Sequence, residues 1–111
     1  MKIENHPNFV VLEDEKDDIV DFASFIESQI PTKYKGQNVV LNLLKYNELT
    51  LQQLLLFLNT SNTHRKTKQS FVIVNDAIHI DEVPAEMIVV PTLQEGGDII
   101  EMEEIERDLG F

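Results

Sequence analysis

The run from Asn38 to Leu58 constrains the fold more than any other part of the chain. It reads NVVLNLLKYNELTLQQLLLFL. Its residues 39–44 are almost continuously apolar, as in a strand covered on both faces of a parallel or mixed sheet. A polar elbow of about half a dozen residues then leads into a leucine-rich helix, which is a loop length typical of βα units. The run therefore predicts a central strand followed directly by a helix.

The start of that helix carries a capping signal at Thr50. The Thr50 hydroxyl can accept from the backbone N–H of Gln53, and the Gln53 side chain can reach back to the Thr50 backbone. A stripe of leucines follows at the spacing i, i+3, i+4 and i+7, and it comprises Leu51, Leu54, Leu55 and Leu58. We expect this stripe, widened by Leu56 and Phe57, to pack against the sheet and a neighbouring helix.

The remaining elements alternate between strands and helices. Short strands are predicted at residues 2–4, 9–12, 71–74 and 88–90. Between the first two strands and the central strand, a helix is predicted that Asp17 or Asp18 opens and Pro31 ends. Its apolar positions have helical spacing, and they are Ile19, Phe22, Ala23, Ile26 and Ile30. Residues 77–81 alternate like an exposed edge strand or an extended loop. Together these elements predict a single α/β domain over residues 1–111, with a mixed sheet of four to five strands and three main helices.

The last helix is predicted to begin with a capping box formed by Thr92 and Glu95. Gly96 and Gly97 follow, and each interior glycine costs about 1 kcal/mol relative to alanine. A close approach to the sheet, a kink, or a later helix start would account for them. Four apolar side chains are expected to form its buried side, namely Ile99, Ile100, Met102 and Ile105. Gly110 can adopt the left-handed conformation and let Phe111 fold back toward Ile105.

Charge is unevenly distributed along the chain. The formal net charge is −11, and residues 75–111 contain eleven acids but only one base, Arg107. Such a surface repels phosphate backbones and attracts basic proteins, so we expect a protein partner rather than general nucleic-acid binding. An ordinary solvated helix face is the alternative interpretation. The chain has no cysteine, no apolar leader at its start and no run of membrane-spanning length, so we expect a cytoplasmic protein without membrane contact.

Candidate catalytic groups are sparse. The histidines, His6, His64 and His79, do not have the spacing of metal ligands, and the acidic loop around His79 lacks the spacing of a calcium loop. Ser61 and His64 lie three residues apart and would share a helix face, but nothing supplies an oxyanion hole. The basic residues of the same segment, Arg65, Lys66 and Lys68, are expected to complement a helix C-terminus. We therefore predict no enzymatic activity, no metal and no cofactor.

The order of elements resembles that of a STAS domain, the fold of anti-sigma-factor antagonists. The likeness is carried by VVLNLL passing through a short elbow into an apolar helix, by the strand SFVIV, and by VPTLQEGGDII as the closing strand and helix. It implies a STAS-like sandwich and a regulatory module that binds another protein. In that family the elbow usually carries Asp-Ser-Ser-Gly with a phosphorylated serine, whereas residues 50–53 of this chain read TLQQ. Thr50 can accept a phosphoryl group, although as a helix cap it already has a structural role.

The sequence also resembles small bacterial proteins that carry a ribonuclease Z label. The His-x-His-x-Asp-His metal motif of that enzyme is absent from this chain. The second resemblance therefore implies an accessory role in tRNA processing, without nuclease activity of its own.

The elbow lies at the carboxyl end of the predicted central strand, which is where open α/β sheets bind their ligands. The exposed half of the last helix is the second candidate docking face. The predicted partner-binding residues are Tyr46, Asn47, Glu48, Thr50 and Gln52 in or near the elbow, and Glu101, Glu104 and Asp108 on the last helix.

Overall fold

A five-stranded sheet forms the centre of the fold. The computed structural model describes residues 1–110. Its strands are β1 (Lys2–Asn5), β2 (Val10–Glu13), β3 (Val39–Asn42), β4 (Phe71–Val74) and β5 (Ile88–Val90). They lie side by side in the order of the sequence, with β1 antiparallel to β2 and every later pair of neighbours parallel. The predicted α/β class and mixed sheet are therefore confirmed.

The strand β3 occupies the middle of this sheet and is covered on both faces, as predicted. Val39, Val40 and Leu41 are all 0% exposed. Because side chains alternate along a strand, Val40 points to one face while Val39 and Leu41 point to the other. The strand ends earlier than predicted, at Asn42. The Asn42 side chain accepts from the N–H of Leu44 at 3.0 Å, and the chain turns there into the elbow.

The helix α1 (Ile19–Lys33) covers one face of the sheet. Asp18 caps it by accepting from the N–H of Asp21, and the predicted apolar stripe is buried, namely Ile19, Phe22, Ala23, Ile26 and Ile30. The prediction that Pro31 ends this helix is wrong, because the helix continues to Lys33. Pro31 lies in the last turn, where it removes a single helical hydrogen bond, to the carbonyl of Glu27.

The leucine-rich segment forms two helices, α2 (Leu51–Leu55) and α3 (Leu58–Arg65), instead of one. Residues 56 and 57 donate to carbonyls three residues earlier, which tightens the chain and interrupts the α-helical spacing. The prediction of one continuous buried stripe is consequently wrong. Leu54 and Phe57 are fully buried, whereas Leu55 and Leu56 are 39% and 38% exposed. Within residues 1–110 the fold thus has four α-helices.

The helix α4 (Leu93–Asp108) covers the opposite face of the sheet. It packs with Ile100 on the second set of strand residues, Val11, Val40, Val72 and Val74. Of the three explanations offered for the glycine pair, the close approach is confirmed. A Cβ at Gly96 would lie 3.4 Å from the Val74 side chain, and one at Gly97 would lie 3.4 Å from the ring of Phe9.

The orientation of α4 differs from the prediction. Ile100 is buried and Ile99 is half-buried, but Met102 and Ile105 are 59% and 54% exposed. The expected burial of Met102 and Ile105 is therefore wrong, because the glycine pair brings a different side of the helix to the sheet. Gly110 has the predicted left-handed conformation, with φ of +82°. The predicted packing of Phe111 lies outside the described residues.

The connection between β4 and β5 is a loop with a short 3-10 turn at Ile80–Glu82. Of the two alternatives for residues 77–81, the loop is therefore confirmed. Asn75 begins this loop with a fully hydrogen-bonded, buried side chain. No helix in residues 1–110 combines the length and the apolar character needed to cross a membrane.

Candidate functional site

The elbow, residues 45–50, joins β3 to α2 at the carboxyl end of the central strand, where the sequence predicts it. Four candidate partner-binding residues in the elbow or at the start of α2 are exposed, namely Asn47, Glu48, Thr50 and Gln52. The fifth, Tyr46, is half-buried. The elbow therefore presents short polar side chains to solvent.

The buried side-chain amide of Asn75 anchors the elbow to the rest of the fold. The side chain of Asn75, which is 3% exposed, donates to the carbonyls of Leu43 at 2.9 Å and Tyr46 at 3.0 Å. Its oxygen accepts from the N–H groups of Ala77 at 2.9 Å and Ile78 at 3.0 Å. One side chain therefore joins the elbow to the loop that follows β4. Sequence reasoning missed this role of Asn75 because both elbow partners are distant in sequence.

Tyr46 and Lys45 fix the elbow to the loop after β2. The Tyr46 hydroxyl donates to the Asp14 carboxylate at 2.6 Å, and Lys45 donates to the backbone carbonyls of Asp14 and Lys16 at 3.0 and 2.7 Å. Burial, reinforced by the hydrogen bond to Asp14 and its negative charge, raises the pKa of Tyr46 far above its usual range. The hydroxyl therefore stays protonated and is occupied within the fold.

Thr50 forms the capping box that the sequence predicts. Its hydroxyl accepts from the Gln53 N–H at 3.2 Å, and the Gln53 side chain accepts from the Thr50 N–H at 3.0 Å. Thr50 is exposed, so its oxygen lies at the surface while it caps α2. The structural role is confirmed, and the role as a phosphoacceptor stays a prediction.

The three candidate residues of α4 have different environments. Glu101 and Asp108 are exposed, whereas Glu104 is half-buried and accepts from the side-chain amides of Asn8 at 3.0 Å and Asn38 at 3.3 Å. Glu104 therefore serves within the fold, connecting α4 to the residues that precede β2 and β3. Its predicted exposure for docking is wrong, because the rotation of α4 turns it toward the sheet.

The second half of α4 also contacts Ser70, the residue before β4. Glu103 accepts from the Ser70 hydroxyl at 2.6 Å, and Arg107 donates to Ser70 and to Asn38, at 3.3 Å in both cases. These contacts place the second half of α4 at the amino ends of β3 and β4. The elbow lies at their carboxyl ends, and α2 and α4 cover opposite faces. The two predicted docking regions therefore lie at opposite ends of the strands and do not form one surface.

A stripe of apolar side chains lies on the outer side of α4. We call it the α4 stripe, and it consists of Met102, Ile105 and Leu109, which are 59%, 54% and 67% exposed. Exposed carboxylates flank it, namely Asp98, Glu101, Glu106 and Asp108. Sequence reasoning missed this surface because it assigned Met102 and Ile105 to the core. The spacing i, i+3 and i+7, on the side opposite the glycine pair, is the signal that could have identified it.

The candidate catalytic residues Ser61 and His64 are buried and form no hydrogen bond with each other within residues 1–110. Ser61 is 1% exposed, and its hydroxyl has no hydrogen-bond partner in the described part of the chain. His64 is 3% exposed, and its Nε2 donates to the Gln37 carbonyl at 2.6 Å. Arg65 donates to the Glu86 carbonyl and lies 4.0 Å from Glu103. Across residues 1–110, no cluster of three or more histidines or carboxylates is arranged to hold a metal ion.

No protein-family model matches the sequence, and a search of the curated proteins finds no relative.

Proposed function

We propose that the protein is a non-enzymatic, STAS-like regulatory module that binds a protein partner. The support from the fold is a central apolar strand that passes through a short elbow into a helix, within a sheet whose last helix covers the other face. This is the order of elements on which the resemblance to STAS domains depends. The alternative, an accessory role in tRNA processing, has no comparable support in the described contacts.

The observation that carries the proposal is the exposed α4 stripe. Exposed apolar side chains at helical spacing are what one helix offers to another in a groove or a helix pair. Burying apolar area contributes about 25 cal/mol per Å², so a patch of three large side chains can contribute appreciably to association. The first docking surface that we propose is thus the outer side of α4, with Met102, Ile105 and Leu109 at its centre.

Charge indicates the chemistry of the partner. Helix α4 contains seven acids and one base, and the base, Arg107, is occupied by Ser70 and Asn38. A partner whose apolar side chains are flanked by lysine or arginine would be attracted to this surface, and a second copy of the same acidic helix would be repelled. The expected partner is therefore a basic amphipathic helix of another protein.

The elbow is a second, separate surface of the same module. Its polar side chains are presented on a backbone that Asn75, Tyr46 and Lys45 hold in place, and such preorganisation reduces the cost of binding. Leu55 and Leu56 are exposed nearby on α2 and the turn after it. Partner contacts by Asn47, Glu48, Thr50 and Gln52, and phosphorylation of Thr50, belong to this part of the proposal.

A comparison of two aspartate variants tests the docking surface. Ile105→Asp places a charge in the α4 stripe, and Val20→Asp places one on α1, where Val20 is 62% exposed. Both positions are exposed, so both variants should fold with nearly unchanged stability. Proteins captured from the native host by the wild-type chain should be retained by Val20→Asp and lost by Ile105→Asp.

A synthetic helix gives the same test a defined partner. A peptide with a leucine stripe flanked by lysines should bind the wild-type chain, with an affinity that falls as salt increases. The matched peptide with glutamates in place of the lysines should not bind. Identical capture by both aspartate variants, or equal binding of both peptides, would contradict the proposed surface.

A further inference from the structure

Basic residues gather along a groove between the end of α3 and the second half of α4. The groove has a volume of about 450 Å³. Its charged lining residues are Arg65, Lys66, Lys68, Arg107, Glu86 and Glu103. Four bases against two acids give the lining a net charge of +2, in a chain whose net charge is −11 and which has only nine bases. The groove is therefore a local site of positive charge on an acidic protein.

The two lysines of the groove are exposed, and neither Lys66 nor Lys68 forms a salt bridge within residues 1–110. Lys68 lies three residues beyond the end of α3, whereas the benefit of a base at a helix C-terminus is confined to the last turn. Its φ is +65°, and no other residue except glycine has a positive φ in the described part of the chain. A side chain makes this conformation unfavourable, and such strain is typical of positions whose side chains have a function.

The two arginines of the groove are held in place by the fold. Arg65 donates to the Glu86 carbonyl. Arg107 donates to Ser70 and to Asn38, at 3.3 Å in both cases. A guanidinium has five N–H donors, so both arginines keep donors beyond these contacts. Because the contacts already order the two side chains, binding a ligand costs less conformational entropy.

From this arrangement we infer that the groove binds a small molecule through a phosphate group. A phosphate dianion has two charges and three terminal oxygens, so it can accept from several of these bases at once, whereas a carboxylate has one charge and two oxygens. Nucleic acid is not the expected ligand. Among the described residues no aromatic side chain lines the groove to stack on a nucleobase, and the acidic remainder of the chain repels long polyanions. The site is separate from the α4 stripe and the elbow, and it does not depend on the proposed function.

Inorganic phosphate and glycerol phosphate are the probes, and acetate is the control anion with a single charge. Each is titrated into the intact chain at about pH 7.5, where phosphate is mostly a dianion, and at constant ionic strength. In amide NMR spectra both phosphates should give saturable shifts centred on residues 62–69, 86 and 103–107, with dissociation constants in the millimolar range expected of such small ligands. Acetate should give no saturable shifts. Tighter binding of glycerol phosphate would identify a phosphate ester as the ligand, and tighter binding of inorganic phosphate would identify the free ion.

Two variants that change the net charge equally locate the site. Lys68→Gln removes a base from the groove and should weaken phosphate binding roughly three- to tenfold, which corresponds to one lost contact. Lys2→Gln removes a base that pairs with the last residue of β2, at the other end of the strands, and should leave binding almost unchanged.

Lys68→Gly should bind phosphate as weakly as Lys68→Gln. Glycine relieves the left-handed strain, so weaker binding in this variant would not come from misfolding. The inference would be overturned if the wild-type chain gave no saturable phosphate shifts at constant ionic strength. Equal affinities for acetate and phosphate, or equal phosphate affinities of Lys68→Gln and Lys2→Gln, would overturn it as well.

Discussion

Replacing Asn75 with alanine tests whether one buried amide holds the elbow in place. The wild-type side chain makes four hydrogen bonds of 2.9 to 3.0 Å to backbone groups of Leu43, Tyr46, Ala77 and Ile78. A typical hydrogen bond contributes about 1 kcal/mol net, and the upper limit for the four is therefore about 4 kcal/mol. Some of the freed groups lie in half-buried segments that water can reach, so we expect a loss of about 2 to 4 kcal/mol.

The assay is urea denaturation of Asn75→Ala, with Asn47→Ala as the matched control. Asn47 is an exposed asparagine of the same elbow, and its replacement should change the free energy of unfolding by less than about 0.5 kcal/mol. Amide hydrogen exchange should show that protection decreases first in residues 43–50 and 75–78.

The conservative variant Asn75→Asp separates the two halves of the interaction. Aspartate keeps an oxygen for the N–H groups of Ala77 and Ile78, but it replaces the donor to Leu43 and Tyr46 with a second acceptor. We therefore expect lost protection in the elbow and retained protection at residues 77 and 78. The reasoning would be refuted if Asn75→Ala cost no more than Asn47→Ala, or if exchange in the elbow were unchanged.

Three further predictions concern the helix caps, the buried histidine and the glycine pair. Thr50→Ala should lower the free energy of unfolding by about 0.5 to 2 kcal/mol in urea denaturation, and Thr50→Ser should restore most of the loss because it keeps the capping oxygen. Unchanged stability would argue against the cap. Since burial lowers the pKa of His64, the unfolded chain takes up its proton first as the pH falls below about 6.5. The stabilisation that comes from the neutral ring is complete above that pH and should decrease as the pH falls through the folded-state pKa. In thermal melts over that pH range, the melting temperature of His64→Gln should therefore fall less than that of the wild-type chain. Gly96→Ala should unfold within about 1 kcal/mol of wild type, because a Cβ there has ordinary contacts and alanine favours helices. Gly96→Leu should cost more than Gly96→Ala by about 1 to 3 kcal/mol, because its branches would meet Val74, Val40 and Val72, and equal stabilities would contradict the close approach.

Elements with one strong local pattern were predictable from the sequence. The strands 71–74 and 88–90 have the predicted bounds, and α1 buries the five apolar residues assigned to it. Thr50 and Thr92 both cap helices by accepting from the N–H three residues later. In each case the structure is determined by contacts between residues close in the sequence, or by apolar residues that recur at one clear helical or strand spacing.

The division into α2 and α3 was not predictable from periodicity. Six of the eight residues from 51 to 58 are apolar, so the segment has no single apolar side that could define its orientation. Which leucines are buried depends on the turn at residues 56 and 57 and on the packing of Phe57 beside Phe22 of α1. The anchoring role of Asn75 could not be predicted for a related reason, since its partners Leu43 and Tyr46 are 32 and 29 residues away in the sequence.

Helix α4 shows how a small residue can determine which side of a helix faces the sheet and which faces solvent. Its apolar residues occupy two sides, so hydrophobicity alone leaves its rotation open. Gly96 resolves it, because at this distance from β3 and β4 the helix leaves room for no side chain larger than a methyl group. Residues that share its side recur at i+4, i+7 and i+11, namely Ile100, Glu103 and Arg107.

Ile100 fills the apolar interface of α4 with the sheet, while Glu103 and Arg107 extend beyond the sheet to the polar residues Asn38 and Ser70. The rotation that satisfies these groups turns the α4 stripe outward. An arrangement that put Met102 and Ile105 against the sheet would leave Asn38 and Ser70 without these partners and would press a larger residue than glycine onto Val74. The exposed stripe is therefore a consequence of how the fold pairs its buried polar groups, and the proposed partner surface depends on the same glycine.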